Sequence, residues 1–277
     1  MKKKNQVAVV IPFYKPTLTY LEEIAFRQCL KILSGYPIIA IKPNSLETGQ
    51  IANFDTLGAV EIFDDHFFDN VQSYNELMLS STFYQRFLDY EFILIHQLDA
   101  FVFRNELSAW CDAGFDYIGA PWLKRDEDSG LLDAFKTKLK TRFYTYFNLQ
   151  KYGLPSDRQF DNVVGNGGFS LRKVDKFHHL ANISHRQIGP YLNRSEFQFH
   201  EDVFWSIEVN RKQRRLRIPD YKSALKFSFE NKPERALKIS GNKTPFGCHA
   251  WDLHLDFWMP YFSQLGYDIT SVAGDKP

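Results

Sequence analysis

Cysteine is scarce. The 277 residues hold three, Cys29, Cys111 and Cys248, far apart in the chain. They form no Cys-x-x-Cys pair and no zinc-ligand set. So sparse and odd a count fits a reducing compartment, not a disulfide framework. Long hydrophobic runs are missing as well. No stretch approaches the about 18 apolar residues that a membrane span needs. The opening Met-Lys-Lys-Lys-Asn-Gln leads straight into Val7–Ile11, which is too short for the core of a signal peptide and is stopped by Pro12. The expectation is a soluble, cytoplasmic protein, with peripheral contact at the inner face of a membrane left open. Charge of one sign is also lacking. The 34 Lys and Arg nearly balance 33 Asp and Glu, so no global basic field argues for nucleic acid. No internal repeat and no low-complexity linker divides the chain.

What is present fits an ordinary globular α/β protein. The length is enough for one large α/β domain or two small ones. A hydrophobic share of 44% and a charged share of 24% are usual values. The 26 Phe and 14 Tyr are plentiful. Their faces can stack on bases and sugar rings, but most belong to a core. Strand and helix patterns alternate. Val7–Ile11, Ile38–Ile41, a short Val60–Phe63 and Phe92–Leu98 read as strands. Leu18–Leu33 has helical spacing, with Leu21, Ile24, Ala25 and Leu30 able to share a face, and Ser73–Leu88 reads as a helix. This alternation predicts a doubly wound, mostly parallel sheet flanked by helices. A polar segment at 124–130 reads as an exposed loop.

Residues 91–103, Glu-Phe-Ile-Leu-Ile-His-Gln-Leu-Asp-Ala-Phe-Val-Phe, are the most informative stretch. An apolar run of this kind fits a strand buried on both faces. Parallel sheets hold ligands beyond the carboxyl ends of their strands. Asp99 lies at such an end, with Gln97 just before it, suited to a metal or a phosphate. A carboxylate that caps a turn is the plain alternative.

Three further islands carry candidate chemistry. The first is Val-Val-Gly-Asn-Gly-Gly-Phe-Ser-Leu-Arg at 163–172. Gly165, Gly167 and Gly168 allow unusual backbone and close ligand approach, and successive amides there could bind an anion. A tight turn between strands explains the glycines equally. The island is neither a P-loop nor a dinucleotide-binding fingerprint, which argues against a P-loop ATPase and a nicotinamide enzyme. The second island is His200-Glu201-Asp202-Val203-Phe204-Trp205-Ser206. Adjacent acids at a helix start suit the helix dipole, and a carboxylate near a reacting hydroxyl can also act as general base. The third is Pro245-Phe246-Gly247-Cys248-His249-Ala250-Trp251. His249 is a candidate metal ligand, with His254 as a rival. Carboxylate plus imidazole suits Mn²⁺.

Two basic segments remain. Residues 135–152 interleave Lys136, Lys138, Lys140, Arg142 and Lys151 with Phe135, Phe143, Tyr144, Tyr146, Phe147 and Tyr152. Such a helix could lie on an anionic membrane surface. It reads equally as a solvated lid helix with a buried aromatic face. Arg211–Arg217 reads as a solvated charged face, or as a cationic patch for an anionic ligand.

In order, these islands resemble a GT-A glycosyltransferase over nearly the whole chain. The motifs are Pro12-Phe13-Tyr14 after the first strand, Asp99 after a buried strand, Gly167-Gly168, Glu201-Asp202-Val203, and a late His249. The resemblance is to inverting β-1,3- and β-1,4-galactosyltransferase-like families and to an uncharacterised microbial glycosyltransferase-like family. It implies a GT-A fold over 1–277, with a nucleotide-binding half at 1–123 and an acceptor or catalytic half at 124–277.

The resemblance also implies roles. Asp99 and His249 would ligate a divalent metal, Mn²⁺ or Mg²⁺, at the diphosphate of a nucleotide-sugar, with a uridine diphosphate donor favoured. Asp202 would be the base of an inverting transfer, and Glu201 would orient the acceptor. Pro12, Phe13, Tyr14, Tyr74, Asn75, Gln97, Gly167 and Gly168 would contact the donor. Trp122 and Trp205 would contact the acceptor, a saccharide or lipid-linked glycan, and the pathway would be the biosynthesis of a surface polysaccharide. One departure matters. Gln97 and Leu98 replace the family's leading acids, so one carboxylate remains, and Arg172 or an arginine of 211–217 could take the phosphate charge instead. Two rival functions are a sugar-phosphate nucleotidyltransferase and a non-catalytic saccharide-binding or scaffold protein. The first sits poorly with a glycine-free loop after strand one.

Overall fold

The computed structural model describes residues 5–125 and 130–269. At its centre is a six-stranded sheet. Strand β1 (Asn5–Pro12) pairs in parallel with β2 (Ile38–Pro43) on one side and β4 (Tyr90–His96) on the other, and β2 pairs in parallel with β3 (Ala59–Phe63). The strand Phe169–Lys173 runs antiparallel to β4 and to Tyr117–Ile118 at the far edge. The sheet is therefore mixed but mostly parallel, as the alternation predicts.

The β-branched runs explain the arrangement. Ala8 and Val10 of β1 and Ile93 and Ile95 of β4 pack into one apolar cluster, while Val7, Val9 and Ile11 of β1 with Phe92 and Leu94 of β4 pack into another on the opposite face. A strand buried on both faces must be apolar at every position, which is why these runs do not alternate with polar residues. Helix α1 (Tyr20–Ile32) covers one face. It starts where the sequence has a capping box: Thr19 accepts from the Glu22 amide, and Glu22 reaches back to the Thr19 amide.

Two elements differ from expectation. The helix read over Ser73–Leu88 is two helices, α2 (Val71–Leu79) and Ser81–Gln85. Ser80 is extended and its hydroxyl caps the second helix by accepting from the Phe83 amide, a competition with helix continuation that serine side chains favour. Strand β4 ends at His96 instead of Leu98, because the Gln97 amide turns to donate to Gly168 O at 2.8 Å. The polar segment at 124–130 lies mostly outside the described residues.

Connectivity sets where a ligand can sit. From β1 the chain moves to β2 and β3 on one side and then crosses to β4 on the other. The crevice beyond the carboxyl ends of β1 and β4 is thus the topological switch point, where such sheets bind ligands. A second, three-stranded sheet closes its far side. Phe101–Val102 pairs antiparallel with Gly247–Cys248, which pairs in parallel with Ser228–Phe229. In this register Asp99, just before its strand, and Glu230 and His249, just past theirs, fall at the same end of the small sheet.

Candidate active site

A cleft of about 750 Å³ opens at the switch point. Pro12 and Tyr14 line it from the end of β1, and Gln97, Leu98 and Asp99 from the end of β4. Tyr74 and Asn75 enter from α2, Asn166, Gly167 and Gly168 from the glycine loop, Glu201 and Asp202 from the acidic island, and His249 from the small sheet. Segments separated by up to 240 residues in sequence therefore meet in one cavity, as the difference between Pro12 and Asp252 shows.

His249 is the hub. Its Nε2 lies 3.2 Å from Asp99 Oδ1 and 3.1 Å from Gln97 Oε1. Its Nδ1 lies 3.4 Å from Glu230 Oε1 and 2.9 Å from the Asn166 amide nitrogen, which also donates to Glu230 Oε1 at 2.6 Å. Burial alone would depress the imidazole, but the facing carboxylates of Asp99 and Glu230 outweigh it and hold His249 up to about 10. Asp99 is the reciprocal case. Its partial burial favours the neutral acid, and the His249 charge overrides that to pull it below the usual carboxylate range.

The glycines matter here for space. A Cβ on Gly168 would lie 2.0 Å from His249 Nε2 and 2.5 Å from Gln97 Oε1, and one on Gly167 would lie 2.1 Å from Glu201 Oε1. Neither glycine adopts the left-handed conformation; within the loop Asn166 does, with φ of 47°. Two amides of the loop are committed within the protein. The Gly165 amide donates to Ala120 O, and the Phe169 amide donates to Asn166 Oδ1.

The acidic island splits into two roles. Glu201 is buried and gripped by Arg172, whose Nη2 donates to Oε1 at 2.7 Å and Nη1 to Oε2 at 3.0 Å. Arg172 is itself fully buried and also donates to Tyr84 Oη and Ser170 Oγ. Asp202 is half-buried and its Oδ1 accepts from the Val203 amide at 2.8 Å. Burial, with the negative charges of Glu201 and Glu230 nearby, pushes Asp202 up to about 8. One carboxylate is gripped by an arginine, and its neighbour is poised to exchange a proton near neutral pH.

Several sequence expectations need correction. Trp205 is fully buried against Tyr84 and Phe177, and its indole donates to Met78 O at 3.2 Å, so it cannot touch an acceptor. Phe13 points into the core, edge-on to Phe26 and Phe54, while its neighbours Pro12 and Tyr14 face the cleft. Arg172 is committed to Glu201 and is not available to a phosphate. The 211–217 arginines with contacts are engaged away from the cleft: Arg211 with Glu208 and the end of helix Leu131–Phe147, Arg215 with Gln187, and Arg217 with Asp116. Trp122 does line the cleft, edge-on to Phe160 and Phe197. His254 does not line it.

Sequence reasoning missed Glu230. Its only signal is that it follows the apolar Ser228–Phe229 strand, as Asp99 follows β4 at a short distance. Asn75, which the sequence placed at the donor, does line the cleft. Asn75 Oδ1 accepts from the Glu201 amide, and among the described residues no partner meets its buried Nδ2. That atom is an unused donor at the cleft wall.

The cleft wall is acidic. Glu22, Asp69, Asp99, Glu201, Asp202, Glu230 and Asp252 line it, and among the described residues no lysine or arginine does. Such a wall would repel a bare anion. No group of three or more His, Cys, Asp or Glu among the described residues could hold a metal ion unaided. Gln97 Oε1, Asp99 Oδ1 and His249 Nε2 are the atoms that could share a cation with a ligand. The two oxygens stand 3.1 and 3.2 Å from the nitrogen, close to the roughly 3 Å between neighbouring ligands around a small octahedral cation. Mg²⁺-like ions are commonly held by one or two carboxylates plus substrate phosphates.

A family model described as Protein of unknown function (DUF5672) matches residues 58–249. That span includes Asp99, the glycine loop, Asp202 and His249. No curated protein sequence matches the chain. Among solved structures, the chain is similar to the galactosyltransferase LgtC in complex with donor and acceptor sugar analogs, with a TM-score of 0.53, 12% identity, and coverage of 87% of this chain and 86% of that one. It is also similar to the apo structure of WbbM, a bifunctional glycosyltransferase, with a TM-score of 0.51, 11% identity, and coverage of 88% of this chain and 45% of that one. The chain thus spans less than half of WbbM. At these identities the likeness is one of fold: the architecture is GT-A-like, as found in glycosyltransferases.

Proposed function

The chain belongs to the family described as Protein of unknown function (DUF5672), and we propose that it is a glycosyltransferase that moves a sugar from a nucleotide-sugar to a saccharide or lipid-linked acceptor. One observation carries the proposal. Asp99, His249 and Asp202 line a single cleft at the switch point of a GT-A-like sheet.

The roles follow from chemistry. Asp99, His249 and Gln97 would hold a divalent cation together with the donor's diphosphate, and that cation would neutralise charge on the departing nucleoside diphosphate. As a ligand, His249 would have to present its neutral imidazole. Pro12, Tyr14 and Tyr74 flank the nucleoside, and the unpaired Asn75 amide donates to a donor oxygen. The acceptor lies against Trp122. Its hydroxyl oxygen attacks the anomeric carbon, the bond from that carbon to phosphate breaks, and the hydroxyl proton passes to Asp202. Direct displacement inverts the anomeric centre. Glu201, held by Arg172, positions this half of the cleft and keeps Asp202 basic enough for the transfer.

Thermal shift against a panel of nucleotide-sugars, with and without Mn²⁺, tests the donor site. A ligand that binds only the native state must raise its stability, by about 2.7 kcal/mol at a hundredfold excess over Kd. The expected result is stabilisation by one nucleotide class, dependent on the cation and lost in Asp99→Asn. Equal stabilisation of wild type and Asp99→Asn would remove Asp99 from the donor site.

A further inference from the structure

Helix Leu131–Phe147 is folded with its apolar side outward. The sequence permits a buried aromatic face, and the structure places the opposite face against the protein. Asp133, Thr137, Thr141 and Tyr144, spaced three or four apart, are buried or half-buried. Thr137 accepts from Lys124 Nζ at 3.1 Å, and Arg211 and Lys212 donate to the carbonyls of Thr145 and Tyr146 at the helix end. Leu132, Phe135, Leu139, Phe143, Tyr146 and Phe147 point to solvent, with Phe135 and Phe143 59% and 54% exposed.

Cations border this apolar face on both sides. Lys136 and Lys140, four apart, flank one edge, and Lys138 and Arg142, four apart, flank the other; all four are exposed. The helix's one acid, Asp133, is on the packed side. At about 25 Å long and this polar, the helix cannot cross a membrane, and no helix among the described residues is long and apolar enough to do so. An apolar strip between two cationic rails instead matches the boundary of an acidic bilayer, where acyl chains meet headgroup phosphates.

We infer that this helix docks the protein, lying in plane, on the surface of an anionic phospholipid bilayer. The occupant is set by charge complementarity: a neutral apolar partner would leave both rails unused, and a soluble acidic partner would leave the apolar strip unused. The inference stands apart from the transfer reaction, since none of these residues lines the cleft. The helix follows Trp122, so docking would hold the Trp122 side of the cleft close to lipid-borne molecules.

Vesicle flotation with the full chain tests it. Vesicles of phosphatidylcholine alone are compared with vesicles that also contain phosphatidylglycerol, at low and high salt. Leu139→Gln/Phe143→Gln removes the apolar strip, and Lys136→Glu/Lys140→Glu reverses one rail; both change exposed side chains, and far-ultraviolet circular dichroism checks that they fold. The expected result is binding to acidic vesicles that weakens with salt and falls at least about tenfold in each variant. Wild type that floats with no vesicle, or binds neutral vesicles equally, overturns the inference. So does equal flotation of the apolar variant. A wild-type dimer that Leu139→Gln/Phe143→Gln converts to monomer would assign the face to a second copy of the chain.

Discussion

Asp202→Asn is expected to lower transfer by about 10² to 10⁴-fold while leaving donor binding intact. Asparagine matches aspartate in size and can still accept from the Val203 amide through its carbonyl, so the cleft keeps its shape. It cannot take the acceptor's proton. In the wild type the base must be ionised to work, and burial beside Glu201 and Glu230 holds Asp202 up to about 8. The rate at limiting substrate is therefore expected to rise with pH and level off above about 8.

The same displacement has a consequence for stability. In the unfolded chain an aspartate titrates near about 3.9. Between that value and about 8 the native state holds a proton that the unfolded state has lost. Native stability from this group is full below the unfolded value and drains away as pH rises through the folded one. Asp202→Asn removes the titration, so the variant gains on the wild type as pH rises from acid to mildly alkaline. Melting temperatures of both proteins across pH check this. A variant whose stability runs parallel to the wild type throughout would mean that Asp202 is not strained in the native state. One whose turnover matches the wild type would end its role as base.

Arg172→Ala is expected to cost about 3 to 5 kcal/mol, the usual effect of removing one partner of a buried ion pair. Arg172 is fully buried, and Glu201 has a side chain only 7% exposed. With the guanidinium gone, Glu201 is left as a buried charge, and Tyr84 Oη and Ser170 Oγ lose their donor. A melting temperature lower by about 10 °C follows for a chain of this size. The double variant Arg172→Ala/Glu201→Gln should recover part of the loss, because a neutral amide needs no counter-charge. Strict additivity of the two single changes would show that the pair is uncoupled. Lysine at 172 should not substitute, since a single ammonium cannot present the two parallel donors that Glu201 accepts.

The comparison of sequence with structure is uneven in an instructive way. Strands β1, β2 and β4 were legible because a strand covered on both faces has no choice but apolar residues. Asp99 was legible because it breaks such a run where a parallel sheet opens to ligands. Asp202, Gly168 and His249 were legible as islands of unusual chemistry, and the structure brings them into one cleft. What was illegible is direction. Phe13 and Trp205 stand beside site residues in sequence, but a neighbour on a strand end or a helix points elsewhere, and both went to the core. The same blindness hid the outward apolar face of Leu131–Phe147. Periodicity reports that a face exists and is silent on which side the protein covers. Glu230 was invisible because its two-residue strand is too short to announce itself. The commitment of Arg172 to Glu201, across 29 residues of sequence, depends on tertiary packing alone.

The central claim is that this acidic cleft turns over a nucleotide-sugar through a cation held at Asp99 and His249. Release of nucleoside diphosphate from a panel of nucleotide-sugars, measured with Mn²⁺ and again after excess chelator, tests it most directly. The account predicts that one donor is consumed and that its consumption collapses when the cation is withdrawn. Consumption of no donor in the panel, or consumption that chelator leaves unchanged, would contradict it.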